Sequence, residues 1–183
     1  MVDCANDYGN EAEIGQALKE LLSSGAVKRE ELFIQAKLWN SNHRTDHVKV
    51  DLMATLEDLQ LDYLDSFVIH WPQACPANGK NAAICRPPLN NKAAKNSEGA
   101  TMFPIDDKTG LYCSDNKCHY TETWKAMEAL VDEGLVHSIG LSNFNAMQVL
   151  SCFYFGCHKK DNIMKEKRIG RRRTRRTRRR RRR

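Results

Sequence analysis

The chain has 183 residues, enough for one domain of ordinary size. Its net charge of +6 arises at one end: residues 171–183 hold eleven arginines and two threonines, and the rest of the chain has 18 basic against 23 acidic side chains, a net charge near −5. No apolar run approaches the about 20 residues that a membrane-spanning helix needs. The composition therefore argues against a membrane protein and favours a mildly acidic domain with a basic tail.

Seven cysteines are scattered along the chain without the paired C-x-x-C spacing of a structural zinc site, so we predict no metal. Two looser groups are the only alternative metal ligands: Cys113 with Cys118-His119, and Cys152 with Cys157-His158. The odd number of cysteines fits a reducing compartment, as does an N-terminus, Met1–Ala5, without the basic and apolar segments of a signal peptide. We therefore expect a cytoplasmic protein.

The first part of the chain predicts a strand end, a turn and a helix. Val2–Ala5 is typical of the end of a strand, and Asn6–Asn10 is rich in turn-forming residues. Apolar residues recur at helical spacing over Glu11–Ser24, and Gly25 is placed to cap the C-terminus of that helix.

Two further helices are predicted. One begins near Thr45 or Asp46, either of which can cap it, and carries apolar residues at helical spacing as far as Leu59. The other covers Tyr120–Glu133, is capped by Thr121 or by the residues before it, and ends at Gly134. Residues 73–118 lack periodicity and predict a long irregular loop.

Three apolar runs end in polar residues and predict buried parallel strands. The runs and their polar ends are 32–39 with Lys37, 65–72 with His70, and 137–144 with Ser142 and Asn143. Their alternation with helices indicates an α/β fold. In barrels of strand–helix units the C-terminal strand ends carry the chemistry, so these residues predict one active-site rim. Beyond Asn145 no further strand–helix unit is predicted.

Two segments resemble the signatures of the aldo-keto reductases: VDCANDYGNEAEIG at 2–15 and MEALVDEGLVHSIGLSNF at 127–144. FIQAKLWN at 33–40 and VIHWP at 68–72 are similar to the strand ends between them. The resemblance is strongest to the NADP-dependent alcohol dehydrogenase, or aldehyde reductase, subgroup. It implies part of a (β/α)8 barrel, roughly strands 2 to 5, truncated at both ends. The expected division is a reductase domain over 1–146, a segment outside the family over 147–170, and a disordered arginine-rich tail over 171–183.

The resemblance also implies the site residues. The catalytic tetrad falls on Asp3, Tyr8, Lys37 and His70. Ser142, Asn143 and Asp3 are implied at the NADP(H) cofactor, and His70, Trp39 and Trp71 at a small carbonyl substrate. Carbonyl reduction needs a hydride, which no side chain supplies, and a proton for the developing alkoxide. Tyrosine, with a reference pKa of about 10, is a weak acid near neutrality, and a neighbouring ammonium favours its phenolate form.

Other interpretations stay open. Taken singly, His70, Trp39 and Trp71 are ordinary core residues, whereas Lys37 inside an apolar strand favours a function by itself. The alternative for the whole chain is a catalytically inactive half-barrel that self-associates through open sheet edges. The tail at 171–183 predicts non-specific binding of nucleic acid, or is a low-complexity segment without a selected role.

Overall fold

The computed structural model describes residues 1–76, 102–106 and 108–156. Four parallel strands form one sheet in the order β1 (Val2–Asp3), β2 (Ile34–Leu38), β3 (Ser66–Ile69) and β4 (Ile139–Leu141). A helix follows β1, β2 and β4, and another precedes β4, so the predicted α/β class is confirmed. The proposed tail at 171–183 and much of the predicted 73–118 loop lie outside the described residues.

The helices are α1 (Glu11–Ser23), α2 (Thr45–Leu59), α3 (Tyr120–Asp132) and α4 (Ala146–Ser151). Short 3-10 turns cover Asn6–Tyr8, Arg29–Glu31 and Asn40–Asn42, and a π-helical turn over Cys152–Gly156 follows α4. No helix within the described ranges is long and apolar enough to cross a membrane.

The main core lies between the sheet and α1, α2 and α3. Alternate residues of β2 and β3 point into it, as the two-residue period of a strand requires. The fully buried members are Cys4, Ile34, Ala36, Leu38, Val48, Leu52, Leu59, Leu64, Phe67, Ile69, Met127 and Val136. Lys37, Val68 and His70 therefore belong to the opposite face of the sheet, which is the face that carries the candidate site.

The strand register aligns the ends that matter for function. Leu38 of β2 lies opposite Ile69 of β3, which lies opposite Leu141 of β4. The residues that follow these three are Trp39, His70 and Ser142. They therefore lie together at the C-terminal end of the sheet. The prediction of a common rim at the C-terminal strand ends is consistent with this register.

Helix ends show where local sequence patterns predicted well and where they did not. Gly25 adopts φ 71°, a left-handed conformation that glycine accepts at little cost, and its N–H donates to Leu22 O. The predicted cap of α2 by Thr45 or Asp46 is wrong: the helix starts at Thr45, and Arg44 is an N-cap without a side-chain hydrogen bond.

Two further findings concern α3 and α4. His119, a residue before Thr121, is the N-cap of α3, and its side chain accepts the Thr121 N–H. The prediction that no further strand–helix unit follows Asn145 did not include α4, the six-residue helix after β4. Asn145 Oδ1 accepts the Gln148 N–H at 3.0 Å while Gln148 Oε1 accepts the Asn145 N–H at 2.9 Å, which completes a capping box.

Part of the long loop packs against the sheet edge. Met102 is buried, and its carbonyl oxygen accepts a hydrogen bond from Trp39 Nε1 at 2.9 Å. Ile105 and Tyr112 pair as an antiparallel bridge, so residues around them form a small hairpin. The described residues of this loop therefore include a structured part next to Trp39.

Candidate active site

Lys37 is the central charged residue of the site. It is 5% exposed, near the end of β2, and its ammonium donates to Asp3 Oδ1 at 2.7 Å and to Cys4 O at 2.9 Å. Asp3 ends β1, which pairs with β2, so the parallel pairing itself brings the carboxylate to the lysine. Burying an ammonium is costly unless it is paired, and these two acceptors supply that pairing.

Tyr8 lies beside this ion pair. It ends the 3-10 turn that follows β1, and Gly9 terminates the turn at φ 73°. The Lys37 Nζ lies 4.8 Å from the centre of the Tyr8 ring, and the side chain of Tyr8 is 45% exposed. A phenol that touches both solvent and a buried ammonium can reach an incoming molecule while it remains close to the positive charge.

His70 completes the predicted tetrad. It follows β3 directly, and its N–H donates to Leu38 O at 3.1 Å, which ties it to the end of β2. Its ring meets Tyr8 edge to face at a centroid distance of 6.1 Å. The structure therefore brings Asp3, Tyr8, Lys37 and His70 into one cluster at the C-terminal edge of the sheet.

The two predicted tryptophans flank the histidine ring. Trp39 packs edge to face on His70 at 5.3 Å and on Phe103 at 5.2 Å, and it is almost fully buried. Trp71 stacks near His70 at 6.2 Å and is 44% exposed. Together they give the site an aromatic wall with one open side.

Ser142 and Asn143 follow β4 at the same edge. Asn143 Nδ2 donates to His70 O at 2.8 Å and to Ser142 Oγ at 3.1 Å. Asn143 has φ 61°, a left-handed conformation that asparagine accepts more readily than most residues. Both residues are solvent accessible, so they can also hydrogen-bond a molecule bound beside His70.

The electrostatics follow from these contacts. Burial acts to lower the pKa of Lys37, but the hydrogen bond to Asp3 and the proximity of Tyr8 outweigh it and the pKa is raised. For Asp3, burial acts to raise the pKa, and the hydrogen bonds from Lys37 and Gln35 outweigh it, so the pKa is lowered. Burial lowers the pKa of His70, and the nearby Asp7 opposes that effect. Lys37 is thus held as a cation, and His70 favours its neutral form.

Sequence reasoning missed three contributors. Gln35 Nε2 donates to Asp3 Oδ1 at 2.8 Å, and its position two residues before Lys37 on a strand was a usable signal. Asp7 Oδ1 lies 3.4 Å from His70 Nδ1, and Phe103 packs on Trp39. Nothing local in the sequence indicated those two contacts, because each joins residues more than sixty positions apart.

A separate cavity of about 630 Å³ lies away from this cluster. It is lined by residues from the C-terminal half of α2, by Gln60, Leu61 and Asp62 between α2 and β3, and by Leu135 before β4. None of the predicted site residues lines it. Within the part of the chain that the structure covers, no group of three or more His, Cys, Asp or Glu is placed to hold a metal ion.

Comparisons of the sequence with known proteins point to one family. The model of the Aldo/keto reductase family matches residues 1–165. Aldo-keto reductase family 1 member A1 from Mus musculus and from Homo sapiens are each 46% identical over 149 residues, which is 81% of this chain and 39% of each relative. The chain thus spans well under half the length of the curated relatives it matches.

Solved structures give the same result for the fold. The aldose reductase from Schistosoma japonicum superposes with a TM-score of 0.69 at 44% identity, covering 85% of this chain and 44% of that one. The aldose reductase from Giardia lamblia superposes with a TM-score of 0.69 at 36% identity. These matches confirm the predicted part of a (β/α)8 barrel. The chain belongs to the aldo/keto reductase family.

Proposed function

We propose that this chain carries the catalytic residues of an NADPH-dependent reductase of aldehydes and ketones. Family membership supports the class of reaction, and the parallel strand ends support the position of the site. The single observation that carries the proposal is the buried Lys37 ammonium, hydrogen-bonded to Asp3 and 4.8 Å from the Tyr8 ring centre.

The proton is proposed to come from Tyr8. Reduction leaves negative charge on the carbonyl oxygen, and the phenol hydroxyl can donate a proton to it. The phenolate that remains is stabilised by the Lys37 ammonium, and the Asp3 carboxylate keeps that ammonium charged and in place. His70, next to the Tyr8 ring, orients the carbonyl oxygen by a hydrogen bond.

The hydride is proposed to come from a bound nicotinamide, the chemistry that NADP(H) supplies to the reaction. Ser142 and Asn143 offer a hydroxyl and an amide beside His70, which suits a carboxamide group, and Asp3 lies at the same strand ends. The residues described here fit the nicotinamide end of such a cofactor. The choice of NADPH over NADH rests on the family resemblance.

The substrate is proposed to be a small aldehyde or ketone. Trp71 is exposed on one side of His70, and Trp39 packs on the other with Phe103 behind it. Aromatic walls of this kind favour an apolar body next to the reacting carbonyl. We also propose a cytoplasmic location, which the free thiols of Cys4, Cys75, Cys113, Cys118 and Cys152 support.

Tyr8→Phe tests the proposed acid. The full chain is assayed by NADPH oxidation with a small aromatic aldehyde, and the variant is expected to lose about 10²- to 10⁴-fold in kcat, because it keeps the ring and removes the hydroxyl group that would donate the proton. Tyr63→Phe is the matched control, since Tyr63 precedes β3 at the opposite end of the sheet and stacks on His137. Equal activity in Tyr8→Phe and the unmodified chain would contradict the assignment.

A further inference from the structure

Asp7 is a carboxylate at the ring of His70, and its importance rests on the proposed function of that histidine. Asp7 Oδ1 lies 3.4 Å from His70 Nδ1, and the two side chains are 14% and 10% exposed. The distance is longer than a well-formed N–H···O bond, which spans 2.7–3.2 Å. At this burial, however, a carboxylate changes the charge preference of an imidazole far more than it does in water.

The turn that carries Asp7 is anchored firmly. The neighbouring Asn6 donates through Nδ2 to both oxygens of Asp51 on α2, at 3.1 and 3.3 Å. Asn42, in the turn after β2, donates to the same carboxylate at 2.8 Å. Asp51 therefore joins the loops after β1 and β2, so the position of Asp7 is determined by buried hydrogen bonds.

The histidine ring is held from the other sides. Its backbone is bonded to Leu38 and Asn143, and its ring packs between Tyr8 and Trp39. Nδ1 itself is buried and makes no hydrogen bond to any described residue. A buried ring nitrogen that faces a carboxylate is most stable when it carries the proton, because a bare nitrogen would meet a negative charge.

The charged and polar groups around His70 come from three elements. Asp7 and the phenol of Tyr8 lie on the turn after β1, Asp3 ends β1, and Lys37 lies on β2. The two carboxylates favour the imidazolium, whereas burial and the Lys37 ammonium oppose it. Of the acidic groups, Asp7 is the one in contact with the ring.

We propose that Asp7 is a positioning residue that places the proton of neutral His70 on Nδ1 and stabilises the imidazolium form of this ring. Neutral His70 then presents a bare Nε2, which can only accept a hydrogen bond. The imidazolium carries a proton on Nε2 as well and can donate to a carbonyl oxygen. Because burial makes the neutral form of His70 the favoured one, the imidazolium that Asp7 supports is a minority state, and the hydrogen bond proposed from His70 to the carbonyl oxygen is made from that state.

The test is ¹⁵N NMR of the histidine ring in the full chain, with His70 assigned by loss of its signals in His70→Gln. The spectra are recorded across a pH titration for the unmodified chain, Asp7→Asn and Asp7→Ala. We expect the neutral ring to be protonated at Nδ1 in the unmodified chain and mainly at Nε2 in Asp7→Ala. In Asp7→Asn the ratio of imidazolium to imidazole at a given pH should fall about tenfold.

Asp46→Asn is the matched control. Asp46 Oδ2 lies 3.8 Å from Nε2 of His47, and this carboxylate is largely exposed, so its removal should leave the His70 signals unchanged. A neutral His70 protonated at Nε2 in the unmodified chain, or a His70 titration that Asp7→Asn does not alter, would overturn the proposal.

The readout separates this inference from the proposed reaction. The tautomer is measured without substrate or cofactor, so a chain that reduces no carbonyl still reports the effect of Asp7. Asp7→Asn is isosteric and keeps an oxygen that can accept the Nδ1 proton. If Asp7→Ala does not fold, the tautomer of the unmodified chain and the titration of Asp7→Asn decide the question.

Discussion

Lys37 shows how one buried charge connects stability with chemistry. Its ammonium is stabilised by Asp3 and by the Cys4 carbonyl, and its pKa is raised above the ordinary 10.5 although burial acts to lower it. A raised pKa means that the folded state holds this proton more tightly than the unfolded state. The stabilisation is therefore fully present below pH 10.5 and is lost as the pH rises through the folded pKa.

Lys37→Met is predicted to separate the two roles. Activity should fall by at least about 10²-fold, because the phenolate of Tyr8 loses its counter-charge. The free energy of unfolding at pH 7 should change by no more than about 2 kcal/mol, because Asp3 is half exposed and can be solvated. Urea unfolding from pH 7 to 11.5 should show that the variant lacks the decrease in the free energy of unfolding at alkaline pH that is attributed to Lys37.

Lys49→Met is the control for this experiment. Lys49 forms an exposed ion pair with Glu133 at 2.6 Å, a kind of contact that contributes little to stability. The control should have the activity of the unmodified chain and the same decrease in the free energy of unfolding at alkaline pH. If Lys37→Met and Lys49→Met behave alike, the buried ion pair is not the origin of either effect.

At the scale of elements, the crossing of α1 and α2 positions the turn that carries the site. Gly15 of α1 lies directly on the C-terminal turn of α2: a Cβ built there would overlap Asp58 O and lie 2.8 Å from Leu59 C. Leu18 of α1 and Leu59 of α2 pack in the same core. Only glycine lets the two helices approach so closely.

Gly15→Ala is predicted to destabilise the fold by about 1–3 kcal/mol, because overpacking against backbone outweighs the better helix propensity of alanine. Gly25→Ala is the contrast, since a Cβ there meets nothing within 4 Å and the cost is only that of the left-handed φ of 71°. Thermal unfolding followed by circular dichroism should give a larger fall in Tm for Gly15→Ala. A higher Tm for Gly15→Ala than for the unmodified chain would show that the helices separate freely.

At the scale of the molecule, residues 171–183 and the rest of the chain differ in the sign of their charge. Eleven of the 29 basic residues lie in 171–183, and the rest of the chain is net acidic. The sheet has β1 and β4 at its two edges within the described ranges, so pairing with a second copy stays a prediction. Binding of nucleic acid by the arginine-rich tail also stays a prediction.

Deletion of residues 171–183 is predicted to abolish binding to a single-stranded RNA, measured by fluorescence anisotropy. The affinity of the full chain should fall steeply with salt, since each phosphate contact releases counterions. Replacement of the eleven arginines by lysine keeps the charge and should preserve most of the binding. Binding that survives the deletion would place the RNA contact elsewhere on the molecule.

The predicted elements largely agree with the structure because each depends on nearby residues. For most ends of α1, α2, α3 and the strands, the position predicted from periodicity lies within one or two residues of the observed end. The capping box at Asn145 and Gln148 was also local and could have predicted α4. The predicted cap of α2 was wrong because Arg44, whose side chain has no oxygen to accept a hydrogen bond, occupies the N-cap position.

The site residues were predicted from family-like segments at the strand ends, and the sequence by itself determined which residue types stand there. Only the tertiary structure decided how they meet. Parallel pairing of the strands brings Asp3 to Lys37, which is 34 positions away in the sequence. It also places Asp7 beside His70, which is 63 positions away. Such contacts depend on strand register and helix crossing, and these result from packing of the whole core, which no local pattern of residues encodes.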